Sequence, residues 1–162
     1  MEKKRLEKLI EGLKQKHATL SIAESMTAGL AISELSNIPG ISDVLLGGVV
    51  SYKRETKEQL LDVPPRLIDE KSAESQEVTT AMALGLRNLF NSTITVAVTG
   101  AASEPSPNSP YQLKVGVGTT FFTFIVAGAI SEFKEIFKGK PDEIRQQAVD
   151  FIYEKVEALG LQ

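Results

Sequence analysis

The chain contains no cysteine, no tryptophan and a single histidine, His17. Without thiols there is no disulfide scaffold, no cysteine nucleophile and no Cys-ligated zinc or iron–sulfur site. With one imidazole, a Ser-His-Asp triad has only His17 to draw on. Hydrolytic chemistry therefore falls to Ser, Thr, Lys, Tyr or carboxylates. Long apolar runs are also missing: no segment approaches the roughly 18 uninterrupted apolar residues of a spanning helix. The opening Met1-Glu2-Lys3-Lys4-Arg5-Leu6 runs into mixed charge rather than the apolar stretch of a signal peptide. Nor is there an excess of positive charge. Eighteen Lys and Arg against 21 Asp and Glu leave a net charge of −3, with no general attraction for nucleic acid or anionic membranes. The expected location is the cytoplasm, with neither nucleic acid nor membrane as partner.

What is present suits one domain spanning residues 1–162, with 42% hydrophobic and 24% charged residues. Leu6, Leu9, Ile10 and Leu13 recur at helical spacing and predict an amphipathic N-terminal helix. Residues 19–23 read as a short strand, followed by the small-residue turn Glu24-Ser25-Met26-Thr27-Ala28-Gly29 and a helix over Leu30–Leu35. That succession opens a parallel α/β unit. A second strand is expected over residues 44–52, where Gly47-Gly48 allows a bulge or a close backbone approach. A helix over 53–61 is stopped by Pro64-Pro65, and a further short helical turn is expected over 66–70. Ser75 is placed to cap a helix reaching about Asn91, with Val78, Met82, Leu86 and Leu89 on its inner face. A strand over 94–98 ends at Thr99-Gly100. The Pro- and Ser-rich stretch 101–113 is a long loop of the kind that is usually functional or mobile. Strands over 114–126 and 131–137 form an expected antiparallel hairpin, and Pro141 opens a last helix. The expected fold is α/β: a three-layer α/β/α sandwich whose mixed sheet has a parallel core and an antiparallel hairpin.

In open α/β sheets, ligands collect beyond the carboxyl ends of the strands. There the segments 24–29, 52–57 and 99–113 should converge. The backbone N–H groups of Met26 and Thr27, at the entry to a helix, suit an oxyanion or a phosphate. Spacing alone favours a helix-capping role for Ser25 or Thr27 over catalysis, and reads Tyr52, Lys53, Arg54 and Lys57 as ordinary strand-end and surface residues. His17 ends a helix and complements its dipole. The glycine patterns of a P-loop or a dinucleotide fold are missing, and Glu24, Glu55 and Glu58 lack His partners, so neither a cofactor nor a metal is expected.

In combination these segments resemble the C-terminal amidase domain of the competence-damage-inducible protein A family, which includes stand-alone nicotinamide mononucleotide deamidases. The family signature E-S-C-T-G-G corresponds to Glu24-Ser25-Met26-Thr27-Ala28-Gly29. The block G-G-x-V-x-Y-S-N-E-x-K corresponds to Gly47-Gly48-Val49-Val50-Ser51-Tyr52-Lys53-Arg54-Glu55-Thr56-Lys57. L-G-V-P, S-x-x-V and V-T-G are matched by Leu61-Asp62-Val63-Pro64, Ser75-Gln76-Glu77-Val78 and Val98-Thr99-Gly100. The C-terminal V-R-x-x-A resembles Ile144-Arg145-Gln146-Gln147-Ala148. The resemblance implies an amidohydrolase in which Ser25 is the nucleophile, Lys57 the base and Tyr52 a proton relay. Met26, Thr27, Gly29, Thr99, Gly100 and Arg145 are then the candidate oxyanion and substrate-binding positions. It implies a nucleotide substrate, nicotinamide mononucleotide, and the frequent dimers of the family set a homodimer as the expectation.

The chain departs from the family pattern at Met26 and Ala28 of the signature, at Leu113-Lys114 in the K-P-V-G approach and at Pro141 in place of an Arg, and most of all in the stretch after V-T-G. The usual glycine-rich I-A-G-P-x-G-G after V-T-G is Ala101-Ala102-Ser103-Glu104-Pro105-Ser106-Pro107-Asn108. Prolines donate no N–H, and Glu104 would repel a phosphate. A second reading follows: a catalytically weak or substrate-shifted member that binds a nucleotide or a partner.

Overall fold

The computed structural model describes residues 1–162. Helix α1 (Lys3–Gln15) buries Leu6, Leu9, Ile10 and Leu13, the stripe its spacing predicts. Strand β1 (Leu20–Glu24) is buried at every position, as a parallel strand covered on both faces must be. It pairs in parallel with β2 (Leu45–Val50) on one side and β3 (Ile94–Gly100) on the other. Next come β4 (Thr119–Val126) and β5 (Ala129–Ile136), each antiparallel to its neighbour, giving the order β2-β1-β3-β4-β5. The β1–β2 register shifts between Leu20 and Ser21, whose partners are Leu45 and Gly47. The anticipated bulge therefore falls at Leu46.

Helices α2 (Leu30–Leu35) and α6 (Pro141–Gly160) join α1 on one face. There Ile22, Val96, Phe122 and Phe124 of the sheet meet Leu9, Leu13, Ile152 and Val156 in the larger core. On the other face, α3 (Arg54–Leu61), α4 (Pro65–Lys71) and α5 (Gln76–Phe90) pack Leu61, Ile68, Val78 and Met82 against Ala23, Ala97 and Ile125. The result is the expected three-layer α/β/α arrangement on a mixed sheet. No helix is long and apolar enough to cross a membrane.

The structure corrects the expected pattern in two places. The strand anticipated from residue 114 begins at Thr119, so the loop after β3 runs to Gly118. Gly118 has φ +91°, outside the extended region, and a Cβ there would lie 2.0 Å from the Phe137 carbonyl oxygen. In α5, Ser75 caps as expected, its Oγ accepting from the Val78 N–H at 3.3 Å. Leu89, however, is 58% exposed. The inner stripe steps by four through Val78, Met82 and Leu86, and so arrives at Phe90, which packs against the core in its place.

Candidate active site

Beyond the carboxyl ends of β1, β2 and β3 lies a cleft of about 1030 Å³. Ser25 and Met26, Tyr52 to Glu55, and much of the 100–114 segment line it, so the three expected segments do converge. A fourth wall, made by Ile68 and Asp69 of α4 and by Ser72 to Glu74 in the link to α5, has no counterpart in the sequence analysis.

Ser25 follows β1 directly. Its N–H donates to the Val98 carbonyl at 3.1 Å, tying the first residue of the turn to β3. Glu24, at the end of β1, is fully buried, and its carboxylate accepts from the N–H groups of Gly29, Ala31 and Ile32 at 3.0–3.2 Å. This carboxylate saturates the positive start of α2, so the Gly29 N–H is not free for a ligand. The N–H groups of Met26 and Thr27 have no such partner: neither donates to any backbone or side-chain acceptor in the protein. The turn closes through Ala28, held in the left-handed region at φ 52°, a conformation costing a non-glycine residue about 1 kcal/mol.

Lys57, on the first turns of α3, is 1% exposed. Its Nζ lies 2.9 Å from Ser25 Oγ, 2.6 Å from the Ser51 carbonyl and 3.4 Å from the Tyr52 carbonyl. Burial lowers its pKa to about 8, opposed in part by the negative charge of Glu74. Ser25 and Lys57 thus form a hydrogen-bonded pair, while Tyr52 joins them only through its backbone. Its side chain is 65% exposed at the rim of the cleft.

The other candidate positions separate. Met26 and Gly100 line the cleft. The Thr99 hydroxyl is turned away from it and donates to the Ala73 carbonyl at 3.2 Å, which fixes the α4–α5 wall. Arg145 lies half-buried on α6 and does not line the cleft. Of the cleft cations, Arg54 is held by Glu58 and Asp69, whereas Lys53 and Lys114 form no ion pair. His17 is exposed at the opposite end of β1, where α1 hands over to the strand. It cannot complete a triad with Ser25.

The unforeseen wall centres on Ser72, whose φ 78° and ψ 151° fall in a region almost reserved for glycine, at a cost of about 1–3 kcal/mol. Its Oγ donates to Glu74 Oε2 at 3.1 Å. The Tyr111 hydroxyl, from the loop across the cleft, donates to the same oxygen. The sequence signalled only the Ser75 cap here; the pairing of Glu74 with Tyr111 joins residues 37 apart and has no local signature.

The profile of the CinA C-terminal domain family matches residues 2–159. A CinA-like protein of Geotalea uraniireducens is 43% identical over 127 residues, covering 78% of this chain and 29% of that protein. One from Petrotoga mobilis is 38% identical over 145 residues, covering 90% and 35%. The chain therefore spans about a third of the length of these curated relatives. Among solved structures, a competence or damage-inducible protein from Enterobacter asburiae superposes with a TM-score of 0.89 at 24% identity, covering 99% of this chain and 98% of that one. The competence/damage inducible protein CihA from Agrobacterium tumefaciens gives 0.84 at 26% identity, with 96% of both chains covered. With almost its whole length matched by the family profile, the chain belongs to the CinA C-terminal domain family.

Proposed function

We propose that this domain is an amidohydrolase acting through Ser25 and Lys57, with nicotinamide mononucleotide as substrate and nicotinate mononucleotide and ammonia as products. The observation that carries the reading is the buried Lys57 Nζ, 2.9 Å from Ser25 Oγ. A neutral amine has two N–H bonds and one lone pair. The Ser51 and Tyr52 carbonyls can accept only N–H bonds, so they orient those two and leave the lone pair facing the serine hydroxyl. A serine hydroxyl is a weak nucleophile until a base takes its proton.

Ser25 Oγ attacks the carboxamide carbon as its proton passes to Lys57. The unpartnered N–H groups of Met26 and Thr27 receive the oxyanion, each worth about 3 kcal/mol when well aimed. Lys57 returns the proton to the departing nitrogen, ammonia leaves, and water hydrolyses the acyl-serine with Lys57 again as base. The Tyr52 phenol, exposed at the rim of the cleft, is placed to contact entering substrate rather than to relay the proton between Lys57 and Ser25.

Ammonia release from the mononucleotide tests the reading. Ser25→Ala and Lys57→Ala should each lower kcat by about 10³-fold or more, whereas Tyr52→Phe, which keeps its carbonyl on Lys57, should cost about tenfold. No release above the Ser25→Ala background would overturn it. A second reading, a substrate-shifted binding module, draws on the loop after β3. Glu104 lines the cleft there, and only Lys53 and Lys114 remain free to hold a phosphate. A larger thermal shift with another ligand, and no turnover of the mononucleotide, would favour it.

A further inference from the structure

We propose that Glu74 is a specificity-determining residue of the cleft, an oriented carboxylate that selects amide substrates carrying a positive charge on the ring beside the carboxamide. The inference rests on the amidase reading for its substrate class and deepens it.

Three features of the structure place a charge there deliberately. The first is position. Ser25 is bonded to Val98, the next residue Thr99 is bonded through its hydroxyl to Ala73, and Glu74 follows. The carboxylate therefore stands on a backbone segment anchored directly to the strand end that anchors the nucleophile. Both residues line the same cleft.

The second is orientation. Glu74 Oε2 accepts from Ser72 Oγ on one side and from the Tyr111 hydroxyl on the other, and the Glu74 N–H reaches back to Ser72 Oγ at 3.4 Å. These bonds fix the carboxylate plane and leave Oε1 with no partner in the protein. The Ser72 backbone is held in a glycine-like conformation to make this turn.

The third is pairing. Two cations on the flanking helices are committed elsewhere, Arg54 to Glu58 and Asp69 and Lys71 to Glu77, and Lys57 feels the Glu74 charge without a direct bond to it. Glu74 forms no salt bridge, and its unpartnered Oε1 belongs to a residue that lines the cleft. A half-buried site strengthens the attraction for a cation relative to water. A cationic ring also withdraws electrons from the carboxamide, so the group that selects it selects the more reactive amide.

The test separates binding from turnover. The probes are 1-methylnicotinamide and its neutral isostere 3-methylbenzamide, which share the primary amide and differ in ring charge. Their affinities are measured by calorimetry on the Ser25→Ala protein, with and without Glu74→Gln. Glutamine keeps an acceptor for Tyr111 and Ser72, and matching melting temperatures verify the fold. The expected result is a preference of about tenfold or more for the cation, equivalent to about 1.4 kcal/mol. Glu74→Gln should erase that preference while leaving the neutral amide's affinity unchanged. Equal affinities, a preference that survives Glu74→Gln, or no binding of the cation would each overturn the proposal. Failure of the amidase reading has a different signature: the wild-type chain would release no ammonia although the charge preference persisted in Ser25→Ala.

Discussion

Lys57 is the residue at which stability and activity pull in opposite directions. Burial lowers its pKa from 10.5 to about 8, which makes a neutral amine accessible near physiological pH. The same shift has a folding cost. Below pH 8 the lysine is protonated in both the folded and the unfolded chain, and burial of its charge costs about 3 kcal/mol. Between pH 8 and 10.5 the unfolded chain binds more protons, so stability rises with pH, and above 10.5 the cost is gone. Two outcomes are expected. The kcat/KM of the wild-type chain should rise with pH through an apparent pKa near 8. The melting temperature of wild type should gain on that of Lys57→Met as the pH is raised from about 7 to about 10, measured by paired thermal melts. A flat difference would mean that the Lys57 charge is not paid for in stability.

At the scale of elements, the base is only as well placed as α3. Gly85 of α5 faces the end of that helix, and a Cβ at this position would lie 1.9 Å from the Leu61 carbonyl oxygen. Leu61 is one turn beyond Lys57 on the same helix. Gly85→Ala must therefore push α3 away from α5. It should destabilise the fold by about 1–3 kcal/mol and lower kcat more than it raises KM, because the 2.9 Å approach of Lys57 to Ser25 is lost. Denaturant titration and steady-state kinetics of the variant check both effects.

The elements themselves were largely legible. The leucine spacing of α1, the Ser75 cap and Pro141 are signals carried by neighbouring residues, and each marks an element that forms. What escaped was non-local. The sequence of 114–118 is strand-like, yet Gly118 must turn under the Phe137 carbonyl. Glu24 looks like an unpartnered acid until the chain folds back to present three N–H groups to it. The site divides in the same way. Ser25 and Lys57 were visible through their family spacing, while the wall around Glu74 depends on Tyr111 crossing the cleft.

Across the whole molecule, the parallel half of the sheet concentrates the chemistry at one end. Residues that precede β1 lie at the other end, which removes the lone imidazole from any role at the serine. His17→Gln should therefore leave kcat/KM and its pH dependence unchanged, and a shift of the acid limb in that variant would contradict the placement. The antiparallel half, β4 and β5, supplies no cleft residue between Thr119 and Ile136. It serves the site from behind, as the support on which Gln76 of α5 docks through bonds to the Phe122 carbonyl and Thr123 Oγ1 at 3.0 and 2.9 Å.

The three oxygens around Lys57 Nζ have a consequence for the timing of turnover. An ammonium ion finds three acceptors in them. An amine finds two acceptors and, in the serine hydroxyl, a donor. Both forms are satisfied with every heavy atom in the same place. Gaining and losing a proton thus demands almost no reorganisation of the surroundings, so before acylation the base can sit in either protonation state simply by reorienting hydrogens.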